Sequence, residues 1–264
     1  MPIPRGYLID RALGHGASAT VFRAHRRRDP ALPVALKVLD DEHHHRASLD
    51  RLRREFDTAH RLVHDHIISM YEHGSGWLAM QLVAGGTAHR LPDTTAVLAA
   101  MTQTADALDY THRQGIVHSD VKPTNILVHQ DFSTRGVVLI DFGVSHVVAH
   151  DVGHRPEHVE SSLPYTAPEL LRGQRPTAAT DQYALACTVV ELLIGTTPFA
   201  ASSATRLVQA QLYDPVPSFS QHIHALPHAF DSVITKALAK DPDNRYPTCS
   251  EFIAVVNQLL VDDD

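Results

Sequence analysis

The chain has 264 residues, 44% of them apolar, and a formal net charge of -7. These values predict a folded protein rather than a disordered one and argue against broad nucleic-acid binding. No apolar run approaches the roughly 20 residues that a membrane span needs, and the first ten residues lack the pattern of a signal peptide. Two cysteines, Cys187 and Cys249, make no disulfide framework. We therefore expect a cytoplasmic protein with no membrane segment in this chain and no nucleic-acid partner.

The first 82 residues predict short strands with one helix between them. Alternating apolar and polar residues indicate the strands, and leucine and phenylalanine at helical spacing indicate the helix, which is rich in Arg and Glu. The predicted strands span residues 7–9, 20–24, 34–39, 67–72 and 77–82, and the helix spans residues 48–63. This pattern predicts a sheet-rich small lobe over residues 1–82.

The character of the chain changes near residue 85. The segment Ala84-Gly85-Gly86-Thr87 predicts a hinge, which we place at residues 83–87, and helices dominate after it. Asp93 is a predicted helix cap. The predicted helices span residues 93–113, 180–194, 203–213, 229–239 and 248–260. Residues 88–264 are therefore expected to form a larger, mainly helical lobe.

The chain contains 20 histidines, and three of them are consecutive: His43, His44 and His45. The unperturbed pKa of histidine lies near 6.5, so mild acidification should move the net charge from negative toward positive. A metal site at the triplet is one interpretation. Because consecutive residues rarely converge on one ion, we interpret the triplet instead as a solvated loop before the helix.

A glycine-rich turn joins the first two predicted strands. Residues 13–21 read LGHGASATV, with Ala19 where a third glycine of a phosphate-binding turn would stand. Glycine lets the backbone come close to phosphates, and amide groups in such a turn bind phosphate oxygens. A dinucleotide-binding turn is the competing interpretation, but it needs a helix directly after the glycines. The strand predicted at residues 20–24 disfavours that interpretation.

The third predicted strand contains Lys37 within the apolar run VALKVL. A buried lysine is costly unless an anion meets it. The family resemblance described below implies two such anions, the phosphates of a nucleotide and a glutamate from the following helix. Glu55 is the first candidate because it lies in the middle of that helix, and Glu42 is the second, although it precedes the predicted helix.

The most informative stretch is GIVHSDVKPTNILV at residues 115–128, which an apolar strand and Asp141-Phe142-Gly143 follow. At this spacing, Asp120 can accept a hydroxyl proton. Asn125 and Asp141 offer oxygen atoms, which Mg²⁺ prefers as ligands. Lys122 can neutralise charge near a transferred phosphate. Together with Lys37, these residues predict phosphoryl transfer from Mg-ATP.

These motifs closely resemble those of the catalytic domain of the eukaryotic-like, bacterial-type serine/threonine protein kinases. The resemblance covers roughly residues 7–260 and includes the segment Ala167-Pro168-Glu169, the arginine Arg245 that pairs with that glutamate, and Asp181, which braces the catalytic loop. It implies an α+β, bilobal fold, with a small antiparallel β lobe carrying one helix and a larger, mainly helical lobe. It also implies ATP and Mg²⁺ as cofactors and a protein substrate with a Ser or Thr acceptor.

The resemblance also implies a nucleotide site between the lobes. In it, Ala35 and Leu127 sandwich the adenine ring, Val21 caps the ring from above, and Met80 guards the back of the pocket. Backbone groups of the hinge residues meet the edge of the ring. The residues implied for nucleotide binding are Leu13, Gly14, His15, Gly16, Val21, Ala35, Lys37, Glu55, Met80, Gln81, Val83 and Leu127.

Two positions in the large lobe bear on acceptor choice and regulation. Ser162 stands where serine/threonine-specific relatives carry a threonine that contacts Asp120 and Lys122. Ser119 replaces the arginine that in most relatives binds a phosphate on the activation segment, and a serine carries no positive charge. We therefore predict that activity depends little on phosphorylation of that segment. The hydroxyls near its end are Ser161, Ser162, Tyr165 and Thr166.

Two alternatives to an active serine/threonine protein kinase remain open. The altered third glycine and Ser119 would suit a pseudokinase that binds nucleotide and acts as a scaffold, although the charged residues of the motifs are all retained. A small-molecule kinase would share the catalytic motifs but usually lacks the segment at residues 167–169.

Overall fold

The computed structural model describes residues 4–147, 162–221 and 226–261, so Ser161 lies outside the described residues. A five-stranded antiparallel sheet with the strand order β1-β2-β3-β5-β4 forms the first part of the molecule. Its strands are β1 Tyr7–His15, β2 Ala19–Arg26, β3 Asp29–Leu39, β4 Met70–Gly74 and β5 Trp77–Gln81. All five predicted strands are present, and a single α-helix, α1 Arg46–Ala59, lies between β3 and β4.

Strand β3 positions Lys37 through the alternation of its side chains. Val34, Leu36 and Val38 belong to a small apolar cluster on one face of the sheet. Ala35 belongs to the main core on the other face. Because successive side chains of a strand point to opposite faces, Lys37 shares the face of Ala35 and is directed toward α1.

Helix α1 is amphipathic, with Leu52, Glu55 and Phe56 among its buried residues. It begins at Arg46 rather than at residue 48, because the ring nitrogen of His45 accepts a hydrogen bond from the backbone N–H of Ser48 and caps the helix. The helix ends at Ala59, four residues before the predicted end.

The fourth strand begins later than the sequence predicts. Ile67 and Ile68 are buried, but they belong to the connection that crosses to the helical lobe. The backbone N–H of Ile68 donates to Leu139 O at 3.1 Å, and the N–H of Leu139 donates to His66 O at 2.9 Å. The apolar pair therefore joins the two lobes, and β4 starts only at Met70.

Helices dominate the remainder of the chain. They are α2 Thr94–Arg113, α3 Phe132–Arg135, α4 Pro168–Leu171, α5 Ala178–Ile194, α6 Ala204–Tyr213, α7 His228–Ala237 and α8 Cys249–Val261. The five predicted helices are all present, with ends within two residues of the prediction, and the Asp93 carboxylate caps α2 by accepting the N–H of Ala96 at 2.8 Å. Among the described residues, no helix is long and apolar enough to cross a membrane.

Four short strands in the helical lobe lie next to the loops that contain the site residues. Strand β6 Ile116–Val117 pairs with β9 His146–Val147, and β7 Ile126–Val128 pairs with β8 Val137–Leu139. Helix α5 lies behind them, and most of its residues are buried. The small antiparallel sheet with one helix and the mainly helical remainder confirm the predicted α+β, bilobal class.

Candidate active site

The catalytic loop begins directly after β6 and is held from behind by α5. The two carboxylate oxygens of Asp181, which is fully buried, accept the backbone N–H groups of His118 at 2.8 Å and Ser119 at 2.7 Å. Ser119 adopts a left-handed backbone with φ 66°, which is uncommon for a residue with a side chain. The Asp181 contact stabilises this turn, and the turn directs the next residue, Asp120, into the cleft.

His118 joins the catalytic loop to the segment that carries Asp141. Its Nε2 lies 2.9 Å from Ile140 O, and its Nδ1 accepts the backbone N–H of Asp120 at 3.2 Å. These partners assign the neutral tautomer with the proton on Nε2. The Phe142 ring packs edge-on against the imidazole with the ring centroids 4.8 Å apart. His118 thereby fixes the distance between the two acidic segments of the site.

Asp120 is the centre of a hydrogen-bond network at the bottom of the cleft. Its carboxylate accepts hydrogen bonds from Lys122 Nζ at 3.0 Å, Ser162 Oγ at 2.5 Å and Asn125 Nδ2 at 2.9 Å. Lys122 Nζ also donates to Ser162 Oγ at 2.7 Å. Because the amide nitrogen of Asn125 is directed at Asp120, its amide oxygen is the atom left for a cation.

A second charged cluster lies opposite, where β3 faces α1. Lys37 Nζ donates to both carboxylate oxygens of Glu55, at 2.9 and 2.7 Å, and lies 3.8 Å from Asp141 Oδ1. Glu42, the second candidate partner, is exposed in the turn Asp41–His43 before α1. The structure therefore pairs Lys37 with Glu55.

The two carboxyls of this cluster have opposite pKa shifts. Burial raises the pKa of Glu55, and the Lys37 ammonium offsets only part of that effect. Burial also opposes ionisation of Asp141, but the charges of Lys37 and Arg51 outweigh it and lower the pKa of Asp141 to about 2. Asp141 is therefore anionic at neutral pH, as a cation ligand must be.

Arg51 is a site residue that the motifs did not indicate. It lies on α1 one turn before Glu55, and a Cβ built on Gly143 would come within 3.2 Å of its Nε. Its guanidinium adds a second positive charge beside Asp141. The spacing of four residues between Arg51 and Glu55 is the sequence signal that could have revealed it, since such residues share a helix face.

These groups converge on a cavity of about 440 Å³ between the sheet and the helical lobe. Its lining includes one predicted residue of the glycine turn, Gly16, and the predicted charged and metal-binding residues of the site: Lys37, Glu55, Asp120, Lys122, Asn125 and Asp141. The other predicted nucleotide-binding residues do not line it; they are Leu13, Gly14, His15, Val21, Ala35, Met80, Gln81, Val83 and Leu127. The cavity thus lies at the polar end of the cleft.

Several of these other residues are neighbours in the sheet. Ala35 pairs with Met80 across β3 and β5, and Val21 pairs with Lys37 across β2 and β3. The turn before β2 is closed by the N–H of Gly16, which donates to Ala19 O at 2.8 Å. Ala19 is buried in the main core, so the alanine at the third glycine position is a packing residue of β2.

The histidine triplet is less solvated than the sequence predicts. The side-chain atoms Nδ1 of His43 and Nε2 of His44 are buried and have no hydrogen-bond partner in the part of the chain that the structure describes, whereas His45 caps α1. Within residues 4–147, 162–221 and 226–261, the triplet is not part of any group of three or more side chains with metal-ligand geometry.

A buried ion pair supports the floor of the helical lobe. Arg245 donates to both carboxylate oxygens of Glu169, each at 2.8 Å, and Thr180 Oγ1 donates to the same carboxylate at 2.9 Å. Arg245 also donates to the backbone oxygens of Ala179 and Ala239. This pair ties the segment at residues 167–169 to the start of α5.

The fold and the site define the class, a bilobal kinase-type domain with its charged residues in the cleft between the lobes. The sequence model of the protein kinase domain matches residues 7–256. The chain therefore belongs to the protein kinase domain family.

Similar proteins come from mycobacteria. The chain is 37% identical to the serine/threonine-protein kinase PknJ of Mycobacterium tuberculosis, over 94% of this chain and 44% of that protein. It is 34% identical to PknD of the same species, over 96% of this chain and 40% of that protein. The chain thus spans less than half the length of these two curated relatives. A crystal structure of the Mycobacterium tuberculosis PknI kinase domain superposes with a TM-score of 0.73 at 30% identity, covering 98% of this chain and 99% of that one.

Proposed function

We propose that the chain transfers the γ-phosphoryl group of ATP, in the presence of Mg²⁺, to serine or threonine hydroxyls of protein substrates. The observation that carries this proposal is the convergence of Lys37, Asp120, Lys122, Asn125 and Asp141 on one cavity. Phosphoryl transfer needs positioned charges more than covalent chemistry, and these five side chains supply both signs of charge within one cleft.

Asp120 is the proposed proton acceptor. Its carboxylate would orient the incoming hydroxyl and take its proton, an effect typically worth roughly 10²–10⁴-fold in rate. Lys122 and Ser162 hold the carboxylate in place and bring a positive charge to the side where the phosphoryl group arrives. Ser162 therefore acts as a positioning residue for Asp120.

Asn125 and Asp141 are the proposed Mg²⁺ ligands. The free amide oxygen of Asn125 and the anionic carboxylate of Asp141 are the hard donors that this cation prefers. Bound Mg²⁺ supplies positive charge that neutralises the phosphate oxygens. Lys37, held by Glu55, would contact the same phosphates from the sheet side.

We infer that adenine lies deeper in the cleft, against Ala35, Met80 and Leu127 and beneath Val21, with Leu13, Gly14, His15 and Gly16 in the turn above the phosphates. The backbone of Gln81 and Val83 would meet the ring edge. In support, the N–H of Val83 donates no hydrogen bond to the backbone among the described residues and is available to a ligand. This assignment divides the chain into lobes at residues 1–82 and 88–264, with the hinge at residues 83–87.

A protein acceptor is favoured over a small molecule by the segment at residues 167–169. Its glutamate is fixed by a fully buried arginine, so the segment forms a rigid floor beside Asp120. We also infer a cytoplasmic location, where ATP is abundant. The two buried free cysteines, Cys187 and Cys249, agree with a reducing compartment.

The test is transfer of labelled phosphate from ATP with Mg²⁺, with and without a generic protein acceptor, in wild type and Asp120→Asn. We expect protein labelling in wild type and a decrease of roughly 10²–10⁴-fold in the variant. Asp65→Asn, an exposed aspartate outside the cleft, is the matched control and should retain labelling. ATP binding without transfer by wild type would favour a pseudokinase scaffold, and labelling of small molecules alone would favour a small-molecule kinase.

A further inference from the structure

A second cluster of chemically active side chains lies behind the catalytic loop, where α2 packs against α8. Asp109 and His112 are one turn apart on α2, and Cys249 is the first residue of α8. Their ligand atoms, a carboxylate oxygen, an imidazole nitrogen and a thiol sulfur, all lie within 4.8 Å of one another. Cys249 is 1% exposed and Asp109 9%, and the His112 side chain is 12% exposed, so the cluster is largely buried.

The hydrogen bonds of the cluster leave one imidazole nitrogen without a hydrogen-bond partner among the described residues. His112 Nε2 lies 2.8 Å from Asp181 Oδ2, and this contact places the ring proton on Nε2. Nδ1 lies 3.9 Å from Asp109 Oδ1, which is too far for a hydrogen bond. The Asp109 carboxylate accepts the backbone N–H groups of Cys249 and Ser250, each at 2.9 Å, and the Cys249 thiol.

The charges of the cluster leave room for a cation. Asp109 and Asp181 are both buried carboxylates, and within the described parts of the chain their ion-pair partner is His112 and not a lysine or arginine. Hydrogen bonds compensate both carboxylates, as buried anions require. A cation between His112 Nδ1 and the Asp109 carboxylate would add a direct positive charge beside Asp109.

We propose that Asp109, His112 and Cys249 bind a divalent transition-metal ion, and that this ion is Zn²⁺. Thiolate, imidazole and carboxylate are the three ligand types of protein zinc sites. Tetrahedral zinc, with bonds of about 2.0–2.3 Å, holds its ligand atoms about 3.3–3.8 Å apart. Ligand atoms that lie within 4.8 Å of one another therefore need to close by no more than about 1.5 Å. Binding replaces the thiol proton of Cys249, which is released to solvent.

The hydrogen bond of the other ring nitrogen of His112 also supports a zinc site. A metal-binding histidine commonly donates its other ring N–H to a carboxylate, which fixes the tautomer and orients the ring. Asp181 occupies that place for His112. The same carboxylate holds the N–H groups of His118 and Ser119, so the ion would be linked to the catalytic loop through two side chains.

The test uses the whole chain purified without chelator, with zinc measured by elemental mass spectrometry after desalting. We expect about one zinc per chain in wild type, and Co²⁺ added to chelator-treated protein should produce the near-ultraviolet absorption of a cobalt–thiolate bond. Cys249→Ala should lose this absorption and bind zinc at least about 100-fold more weakly, a loss no smaller than that caused by removing an outer partner of a ligand. Cys187→Ala, which removes the other buried cysteine, should behave as wild type.

His112→Gln provides a second variant, because the glutamine amide can still donate to Asp181 while the Nδ1 ligand is lost. Circular dichroism in chelator checks that each variant is folded. Zinc loss in His112→Gln and in Cys249→Ala, with retention in Cys187→Ala, supports the site. Wild type that neither binds zinc nor produces the cobalt–thiolate absorption overturns it. Zinc that remains bound in both ligand variants also overturns it, since the ion is then elsewhere.

Discussion

Two pairs of a glutamate and a basic residue can be compared directly in this molecule. One is in the cleft, between Lys37 and Glu55, and the other is in the helical lobe, between Arg245 and Glu169. Their shortest distances are almost equal, 2.7 and 2.8 Å, and both glutamate side chains are buried. The cations differ: the Lys37 side chain is 20% exposed and that of Arg245 is 0% exposed.

The pair in the helical lobe is complete. The guanidinium of Arg245 meets two carboxylate oxygens and two backbone oxygens, and its plane lies over the Tyr183 ring at 4.9 Å. Burial acts to raise the pKa of Glu169, but the arginine and Thr180 outweigh it, so the pKa is lowered. Every group has a partner, which is the arrangement expected of a structural ion pair.

The pair in the cleft is unbalanced. Glu55 and Asp141 both face Lys37, and the pKa of Glu55 is raised while that of Asp141 is lowered. The single ammonium of Lys37 faces both carboxylates, and it offsets only part of the effect of burial on Glu55. The comparison indicates that the ion pair whose charges are compensated stabilises the fold. The ion pair whose charges are only partly compensated lies where ligands are expected.

The largest effect on stability is expected from removing Glu169, the glutamate of the pair in the helical lobe. Glu169→Ala leaves Arg245 buried without its carboxylate, and we expect the free energy of unfolding to fall by about 3–5 kcal/mol. Chemical denaturation measures this change, with Glu251→Ala as an exposed control. A loss no larger than that of the control would show that the pair is not structural.

Removing the glutamate of the cleft should affect rate more than stability. Glu55→Gln weakens the hold on Lys37, and loss of a charged hydrogen bond worth about 1.5–3 kcal/mol corresponds to a decrease of about 10–100-fold in phosphoryl transfer. Glu42→Gln is the matched control, because Glu42 was the competing partner and is exposed. If both variants lost activity equally, the assignment of Glu55 as the partner would be wrong.

A smaller effect should appear in the pH dependence of stability, with opposite signs for the two glutamates. The lowered pKa of Glu169 contributes stability above the ordinary value of 4.5, and this stability is lost as pH falls through the folded-state pKa. The raised pKa of Glu55 contributes stability below 4.5, which is lost as pH rises. Relative to wild type, Glu169→Gln should therefore recover as pH decreases from 6 to 3, and Glu55→Gln should not.

The smallest expected effect concerns phosphorylation. Ser119 has no positive charge, and its buried hydroxyl has no hydrogen-bond partner among the described residues. Because Asp181 holds the catalytic loop and residue 119 offers no cation to a phosphate, phosphatase treatment of the purified protein should change the transfer rate by less than about twofold. Loss of activity after this treatment would show that a cation elsewhere in the protein binds a phosphate on the activation segment.

Much of the fold and of the site was predictable because the signals are local. Lys37 follows from an apolar strand, and the loop at residues 115–128 carries three functional side chains within six positions. Arg51 was missed because an arginine-rich helix offers several basic residues, and only packing selects the one that lies beside Asp141. The late start of β4 was missed because apolar isoleucines look alike in a strand and in a buried connection.

The contact between Asp109 and α8 could not be predicted from the sequence, and the reason is different. Its hydrogen bonds join residues 140 and 141 positions apart, and no periodic pattern links such distant segments. Only the finished packing of α2 against α8 brings them together, so the cluster with His112 appears in the structure alone.

That long-range contact has a consequence for synthesis on the ribosome. The chain emerges from its N-terminus, and Asp109, His112 and the catalytic loop leave the exit tunnel long before Cys249 does. Until α8 arrives, Asp109 lacks its amide partners, and His112 is held by Asp181 alone. A nascent chain would thus possess every catalytic side chain before the support behind them is complete. Full catalytic activity is therefore expected only after α8 has been synthesised and has packed against α2.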